Sequence, residues 1–417
     1  MTERVIPGRR TTADVVVIGG GIIGSSCAYF LAREGLDVVQ VEEAAELAAG
    51  ASGACDGFII LQDKAPGPEL DLGLLSAQLY AELSRRLDLD FEYNPKGGLQ
   101  LAENDLEMAL LRQRVAGQVQ GGLEVRLIGR DEVLTMEPAL APDVRGASFC
   151  PLEAEVNPIL TTLAFVHGAR KMGARQLLGA SVTAIRVAHG CLEGVIAGGG
   201  EITAPRVVVA GGAWSPMIGV MAGIKIPVLP RRGQVLVTEP VGPMVGRILC
   251  ESGYLSTKLE TGTEPETGTN SGAFDFNARE RSELGISFIL EQTRAGNLLI
   301  GSSRDFAGYD RRTTHRTMMA LARRAARFVP GLKNIRLIRS YAGLRPYSPD
   351  HRPIIGRTER LRGFFLATGH EGDGITLAPA TGHLLAQLIA GRNPEISLDD
   401  YSPDRPGLDL KTVPLEI

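Results

Sequence analysis

The fold of this chain is decided by residues 14–24, whose sequence is DVVVIGGGIIG. The residues before Gly19 are apolar and mostly β-branched, which predicts a buried strand, and the glycines that follow have the spacing Gly19-x-Gly21-x-x-Gly24. In such a turn Gly19 permits a tight bend, Gly21 lets the backbone approach a pyrophosphate, and Gly24 lets a helix pack on the strand. The stretch therefore predicts a dinucleotide-binding strand, turn and helix.

The flanking sequence completes a βαβ unit. Ser25–Arg33 has helical apolar spacing and stops before Gly35, and Val38–Val41 predicts a second strand that leads into Glu42. The N-terminus of the helix would face phosphate groups with its partial positive charge. Glu42 is placed to accept hydrogen bonds from a ribose diol, and its carboxylate disfavours a 2′-phosphate, which argues against NADP. A tight turn without a ligand is the alternative, and the spacing alone does not decide between FAD and NAD.

Composition excludes several classes of function. The chain has 417 residues and a net charge of −4, with 22% charged residues. Because both signs are mixed along the sequence, nucleic acid or an anionic membrane is not expected as the main partner. The length predicts two domains, and no uncharged apolar run reaches the roughly 18 residues of a transmembrane helix.

Cysteine usage and the N-terminal residues indicate the compartment. The five cysteines are scattered and form no C-x-x-C pair, so we expect no disulfide framework, iron–sulfur cluster or metal site. The pair Arg9-Arg10 precedes an apolar stretch, as in a twin-arginine export signal. That stretch is better explained as the nucleotide-binding strand, because it is rich in glycine and no small-residue cleavage site follows it. We therefore expect a cytoplasmic protein.

The choice of FAD rests on a resemblance. Residues 16–25, VVIGGGIIGS, resemble the opening of the D-amino-acid-oxidase-like flavoprotein superfamily, which includes glycine oxidase, sarcosine oxidase and related dehydrogenases. Further segments match that family in order along nearly the whole chain, namely residues 51–52, 56–58, 182, 210–215, 342–346, 349–350, 353–356 and 369–375.

The resemblance implies that these segments bind FAD. The segments at 51–52 and 56–58 would wrap the pyrophosphate and the ribityl chain, and the backbone at residue 182 would meet the adenine. Residues 372–374 and the helix that follows would direct N–H groups at the flavin ring, where they favour its reduction. The implied cofactor-binding residues are Gly19, Gly21, Ile22, Ile23, Gly24, Glu42, Glu43, Ala51, Ser52, Asp56, Gly57, Phe58, Val182, Gly211, Gly372, Asp373, Gly374, Ile375 and Thr376.

Within the superfamily, residues 369–375, GHEGDGI, are most similar to the β subunits of heteromeric dehydrogenases that act on opines, hydroxyproline or proline. Glycine-oxidase-like sequences have an arginine two residues after the histidine, where this chain has Gly372. The missing cation disfavours a glycine-like substrate. The resemblance also implies partner subunits, with a second flavin, FMN, at a subunit interface.

Two residues are candidates for contact with the substrate. The resemblance places the carboxylate-binding arginine of the family at Arg345, and a planar guanidinium offers a bidentate geometry that a lysine ammonium lacks. The alternative is an Arg345 that pairs with Asp350 or is exposed to solvent. His370 either contacts the substrate or the flavin or is a packed loop residue, and the sequence leaves both open.

The expected architecture is an α/β fold with discontinuous domains. Residues 1–90, 150–222 and 335–417 predict a Rossmann-like FAD-binding domain. Residues 91–149 and 223–334 predict an interleaved α+β substrate or interface domain built on an antiparallel sheet. Lys258–Gly285, rich in Gly, Thr, Glu and Asn, predicts a long mobile loop.

The expected function is FAD-dependent oxidation of the C–N bond of a small amino acid or secondary amine to an imine, by hydride transfer to the flavin. Two alternatives remain at this point. One is a stand-alone glycine, sarcosine or D-amino-acid oxidase that uses dioxygen. The other is a non-catalytic flavin-binding scaffold subunit.

Overall fold

The computed structural model describes residues 10–253 and 281–408 of the chain. The strands are β1 (Arg10–Thr12), β2 (Val15–Ile18), β3 (Val38–Glu42), β4 (Phe58–Ile59), β5 (Gly98–Ala102), β6 (Arg126–Gly129), β7 (Gly146–Cys150), β8 (Ala154–Glu155), β9 (Arg175–Leu178), β10 (Val182–Ala188), β11 (Cys191–Ala197), β12 (Gly200–Thr203), β13 (Val207–Val209), β14 (Leu229–Thr238), β15 (Ile248–Glu251), β16 (Ile289–Gln292), β17 (Leu298–Gly301), β18 (Leu337–Tyr347), β19 (Ile354–Arg357) and β20 (Phe364–Thr368). The α-helices are α1 (Ile22–Arg33), α2 (Pro68–Arg86), α3 (Asp105–Gln120), α4 (Arg130–Met136), α5 (Pro158–Lys171), α6 (Ser215–Met221), α7 (His315–Phe328) and α8 (Gly374–Ile389).

The predicted βαβ unit forms the centre of a six-stranded sheet with the order β19-β20-β13-β2-β3-β9. All of its pairs are parallel except β19 with β20. All four residues of β2 are buried, which is why its sequence is a continuous apolar run. Helix α1 packs against α5 and α8, and it begins at Ile22, within the glycine turn rather than after it.

A second, eight-stranded sheet has the order β18-β14-β17-β16-β15-β5-β7-β6. Its pairs are antiparallel apart from β15 with β5. Helix α7 packs on β14 and β17, and its buried residues join the core on that face of the sheet. The expected fold class, a Rossmann-like domain interleaved with an α+β domain on a largely antiparallel sheet, is confirmed.

The domain boundaries stay a prediction, and one strand lies differently from the expected division. The sequence grouped residues 335–417 with the FAD-binding domain, whereas β18 forms the edge of the eight-stranded sheet and pairs with β14 from Leu229 to Thr238. Of the predicted loop at Lys258–Gly285, residues 258–280 lie outside the described residues.

Within residues 10–253 and 281–408, no helix is long and apolar enough to cross a membrane.

Candidate active site

The glycine turn after β2 leaves no room for side chains. Gly19 has φ +120°, and a Cβ there would lie 2.3 Å from the carbonyl oxygen of Ala210. A Cβ on Gly24 would lie 2.1 Å from the carbonyl oxygen of Gly19. The close approach of β2, α1 and the end of β13 therefore depends on these glycines, as the motif predicts.

The N-terminus of α1 is arranged to receive an anion. Its N-cap residue, Gly21, makes no side-chain cap hydrogen bond, and the first turn contains no acidic residue. The amide of Ile22 donates to Ser52 Oγ at 2.9 Å, so the second predicted cofactor segment lies directly at this turn. The arrangement leaves backbone N–H groups and the positive end of the helix dipole for a phosphate.

Glu42 lies at the end of β3, beside the same turn. Its Oε2 accepts from the amide of Gly20 at 2.5 Å and its Oε1 from the amide of Ala44 at 2.8 Å, which fixes the carboxylate. The turn into β10, which begins with Val182, passes close by, because the amide of Ala180 donates to the Glu42 carbonyl. Glu43 is exposed. The carboxylate is therefore held beside the glycine turn, and its contact with a ribose stays a prediction.

The predicted cofactor segment at residues 372–376, at the N-terminus of α8, contacts the chain at and just after the predicted segment 56–58. Thr376 Oγ1 accepts from the amide of Ile60 at 3.1 Å and donates to the carbonyl of Phe58 at 3.3 Å. The N-cap residue Asp373 makes no side-chain cap bond, and no acidic residue occupies the first turn. This second helix N-terminus, which is only partly buried, suits the electron-rich end of a flavin ring.

A buried ion triad holds this N-terminus. Lys64 Nζ lies 2.6 Å from Asp63 Oδ1 and 2.7 Å from Asp373 Oδ1, and the side chain of Lys64 is 0% exposed. The ammonium thus ties the N-cap residue of α8 to the chain segment that follows β4. Nothing in the sequence pattern pointed to Lys64, because its partner Asp373 is more than 300 residues away.

Three arginines surround Glu371 on the face of the eight-stranded sheet that meets the FAD-binding segments. Glu371 Oε1 lies 3.6 Å from Arg231 Nη1, 3.8 Å from Arg304 Nε and 3.9 Å from Arg345 Nε. Arg345 also donates from Nη1 to the carbonyl of Ser303 at 2.8 Å. The expected alternative, pairing of Arg345 with Asp350, does not occur, because Asp350 binds Arg405.

Two glycines that face each other across β14 and β18 shape the surroundings of Arg345. A Cβ on Gly233 would lie 2.1 Å from Arg345 Nη1, so the guanidinium lies flat against the main chain there. A Cβ on Gly343 would lie 2.6 Å from the carbonyl oxygen of Ala54. The loop of residues 51–57, the flavin loop, therefore packs directly on β18.

His370 is a buried neighbour of α8. Its side chain is 2% exposed, and Nε2 lies 3.0 Å from Thr381 Oγ1 on that helix. Burial lowers the pKa of His370 from 6.5 to about 4, although the nearby Asp373 opposes the shift. The imidazole is therefore neutral near pH 7. Of the two interpretations that the sequence left open, these contacts favour a packed residue, and its contact with substrate stays a prediction.

This burial predicts a pH dependence of stability. Since the pKa of His370 is lower in the folded chain than in the unfolded chain, acidification from pH 6.5 towards 4 protonates only the unfolded form and lowers the free energy of unfolding. The loss should reach about 3 kcal/mol, at roughly 1.4 kcal/mol for each pH unit. Urea unfolding of wild type and His370→Gln at pH 7 and pH 5 measures it, and the variant should lose less stability on acidification. The same substitution at the exposed His315 is the control; an equal response in all three proteins would contradict the prediction.

Comparison with known proteins agrees with this geometry. The DAO family, described as FAD dependent oxidoreductase, matches residues 14–388. This chain belongs to that family. FAD is accordingly its cofactor, and it is a dehydrogenase or oxidase that acts on amino acids or amines. The segments described above fit FAD, because bare glycine main chain, the fixed carboxylate of Glu42 and two helix N-termini without side-chain caps suit the polar groups of a dinucleotide.

Individual members of the family are similar over almost their full length. A hydrogen cyanide synthase subunit, HcnC, of Pseudomonas aeruginosa is 28% identical, with 91% of this chain and 92% of the relative covered. Glycine oxidase of Geobacillus kaustophilus is also 28% identical, covering 94% and 97%. The crystal structure of L-proline dehydrogenase from P. horikoshii superposes with a TM-score of 0.82 at 26% identity, covering 95% of this chain and 98% of that one.

Proposed function

We propose that this DAO-family protein oxidises the C–N bond of a small amino acid or secondary amine to an imine, with Arg345 as the carboxylate anchor. The observation that carries the proposal is the placement of Arg345. Its guanidinium is fixed by Ser303 and Glu371, yet its side chain remains 16% exposed beside the flavin loop. A fixed, planar and accessible guanidinium suits a substrate carboxylate, which it can bind through two parallel hydrogen bonds.

The residues of the chain then have separate tasks. Arg345 holds the substrate carboxylate and thereby orients the Cα–H bond, which lowers the entropic part of the barrier. The N-terminus of α8, held by Lys64 through Asp373, supplies N–H groups where negative charge develops on reduction. FAD, held by the glycine turn and Glu42, supplies the hydride acceptor. The imine product hydrolyses in water.

Within this chemistry we propose opines, hydroxyproline, proline or a similar secondary amine as the substrate class. The likeness to L-proline dehydrogenase supports the proposal, as does Gly372 where glycine-oxidase-like sequences carry an arginine. A stand-alone glycine, sarcosine or D-amino-acid oxidase that uses dioxygen is the second candidate, favoured by the similarity to glycine oxidase. A non-catalytic scaffold is disfavoured, because Arg345 is both held in place and accessible.

Anaerobic reduction of the flavin tests the substrate class. The holoprotein is mixed with L- and D-proline, trans-4-hydroxyproline, octopine, sarcosine and glycine, and bleaching of the flavin absorbance is followed. We expect the secondary amines with larger carbon skeletons to reduce the flavin fastest. Fastest reduction by glycine or sarcosine would select the oxidase alternative, and reduction by none of these compounds would overturn the proposed function.

We further propose that the chain is the catalytic β-type subunit of a heteromeric dehydrogenase in the cytoplasm, with FMN at a subunit interface. The relative HcnC is itself a subunit of a larger enzyme, which supports this role. Expression of the chain alone and with the products of neighbouring genes tests it. An isolated chain that is monodisperse and turns over rapidly with dioxygen, producing peroxide, would contradict a subunit role.

We expect FAD to be bound noncovalently. The turn at Gly19–Gly24 and the carboxylate of Glu42 provide polar contacts, and no cysteine or histidine stands in a recognised flavin-attachment motif. Acid precipitation of the holoprotein should therefore release the yellow colour into the supernatant. Colour that stays in the pellet after washing would contradict this prediction.

A further inference from the structure

Two carboxyl groups lie together beside Arg345 and have no part in the mechanism described so far. Asp56 belongs to the flavin loop, and Glu291 lies on β16 of the eight-stranded sheet. Asp56 Oδ2 is 3.5 Å from the position that a Cβ on Gly301 would take, and Glu291 accepts from the amide of Gly57 at 3.2 Å and 3.3 Å. The side chain of Asp56, predicted from the sequence to bind the cofactor, is thus directed at the substrate sheet.

Residues on one face of β18 hold the loop that carries Asp56 against the strand that carries Arg345. Tyr341, Gly343 and Arg345 alternate along the strand and so share a face. Tyr341 donates from its hydroxyl to the carbonyl of Cys55 at 3.0 Å, and Gly343 admits the carbonyl of Ala54. The loop is therefore fixed against the strand that carries the guanidinium. Asp56 as a residue is half-buried, although its carboxyl group lies in a desolvated setting.

Burial and the neighbouring charges shift the pKa values of both carboxyl groups. Burial raises the pKa of Asp56 to about 6, while Arg345 and Arg304 oppose the rise. Burial and the neighbouring Asp56 raise the pKa of Glu291 further, with Glu155 adding to the shift and Lys96 opposing it. Asp56 is therefore mostly ionised near pH 7, and both burial and the charge of Asp56 favour the protonated form of Glu291. Cys55 beside them stays a neutral thiol, because burial and both carboxyl groups raise its pKa.

We propose that Asp56 is the proton acceptor for the ammonium group of the substrate. An amino acid whose carboxylate is held by Arg345 presents a cation that matches the carboxylate of Asp56. One N–H bond of the ammonium breaks, its electron pair stays on nitrogen, and the proton binds to Asp56. The free electron pair then forms the C=N bond as the Cα–H leaves as hydride, so that two electrons pass to FAD.

The neighbouring guanidinium groups assist this step. Positive charge on Arg345 and Arg304 disfavours a second cation in the site, which makes the ammonium easier to deprotonate. The proposal rests on the proposed amine oxidation and adds to it the residue that makes the amine neutral. It also predicts that the free protein is active only when Asp56 is ionised.

The substitution Asp56→Asn tests the proposal in the holoprotein. For the best amine of the panel above, wild-type kcat/KM should fall tenfold per pH unit below about pH 6. The Asn variant should lack this fall at low pH, and its kcat/KM should be at least about 100-fold lower at pH 7. Asp56→Glu, which retains a carboxyl group, should keep an acid limb and serves if the Asn variant binds no FAD. Asp88→Asn, at an exposed position, is the control.

A second measurement does not depend on turnover. N,N-dimethylproline has no N–H to lose, so it binds as a permanent cation, and it should drive ionisation of Asp56. Calorimetry in two buffers at pH 6 should show release of about half a proton per ligand bound by wild type, and none by Asp56→Asn. Equal proton release by wild type and Asp56→Asn overturns this inference alone. So does a wild-type pH profile in Asp56→Asn, provided that amines still reduce the flavin. A wild-type protein that no amine reduces overturns the proposed function as well.

Discussion

Replacing Arg345 with lysine should lower kcat/KM for the preferred amine about 10- to 150-fold while the FAD content is unchanged. The lysine ammonium can replace only one of the two charge-assisted hydrogen bonds to a carboxylate, a loss of roughly 1.5–3 kcal/mol. FAD content should persist because the glycine turn and Glu42 belong to the other sheet. Steady-state kinetics together with the ratio of flavin to protein absorbance measures both quantities.

Two further variants test whether the position of the guanidinium, and not only its charge, matters. Gly233→Ala places a methyl group where Arg345 Nη1 now lies, so it should displace the guanidinium and raise KM with little loss of stability. Arg339→Lys, at an exposed site on the same strand, is the control and should behave as wild type. An unaltered specificity constant in Arg345→Lys would show that the substrate carboxylate binds elsewhere.

Replacing Lys64 with methionine should destabilise the protein by about 3–5 kcal/mol, the range for removal of one partner from a buried ion pair. The substitution removes the ammonium that bonds both Asp63 and Asp373, whose side chains are 1% and 12% exposed. Two carboxylates would then stay in a buried setting without that cation. The midpoint of urea unfolding with excess FAD measures the effect.

The control for this prediction is a lysine with the same kind of partner on the surface. Lys171 pairs with Asp88, but the two side chains are 56% and 61% exposed, so Lys171→Met should leave the midpoint unchanged. Because Asp373 is the N-cap residue of α8, Lys64→Met should also weaken FAD binding. A wild-type midpoint for Lys64→Met would mean that both carboxylates are already satisfied by other groups.

The features that could be predicted from the sequence are those encoded locally. The glycine spacing at 19–24 and the carboxylate that ends β3 belong to one short segment, so the pattern specified both the turn and the position of Glu42. The segments 56–58 and 372–376 were assigned by resemblance, and the structure brings them together through Thr376. Their contacts with FAD stay predictions.

The features that could not be predicted depend on pairing between distant strands. Glu291 reaches Asp56 only because β16 lies beside β17, and Arg231 meets Glu371 only because β14 pairs with β18. Neither Glu291 nor Arg231 stands in a motif, and each is an ordinary charged residue in its local sequence. Lys64 was missed for the same reason, since a lysine after a short strand is normally solvated. A buried charge of this kind becomes recognisable only once the partner is in place.

The facing glycines of β14 and β18 also make this strand pair a suitable site for changing the substrate specificity. Gly233 and Gly343 lie opposite each other, so the surface beneath the Arg345 guanidinium is bare main chain. Shortening residue 345 to alanine would therefore open a trough floored by peptide groups, with Glu371 at its edge. Such a trough could lodge an uncharged substituent, so a library randomised at position 345 is a direct route to variants that oxidise amines lacking an acid group.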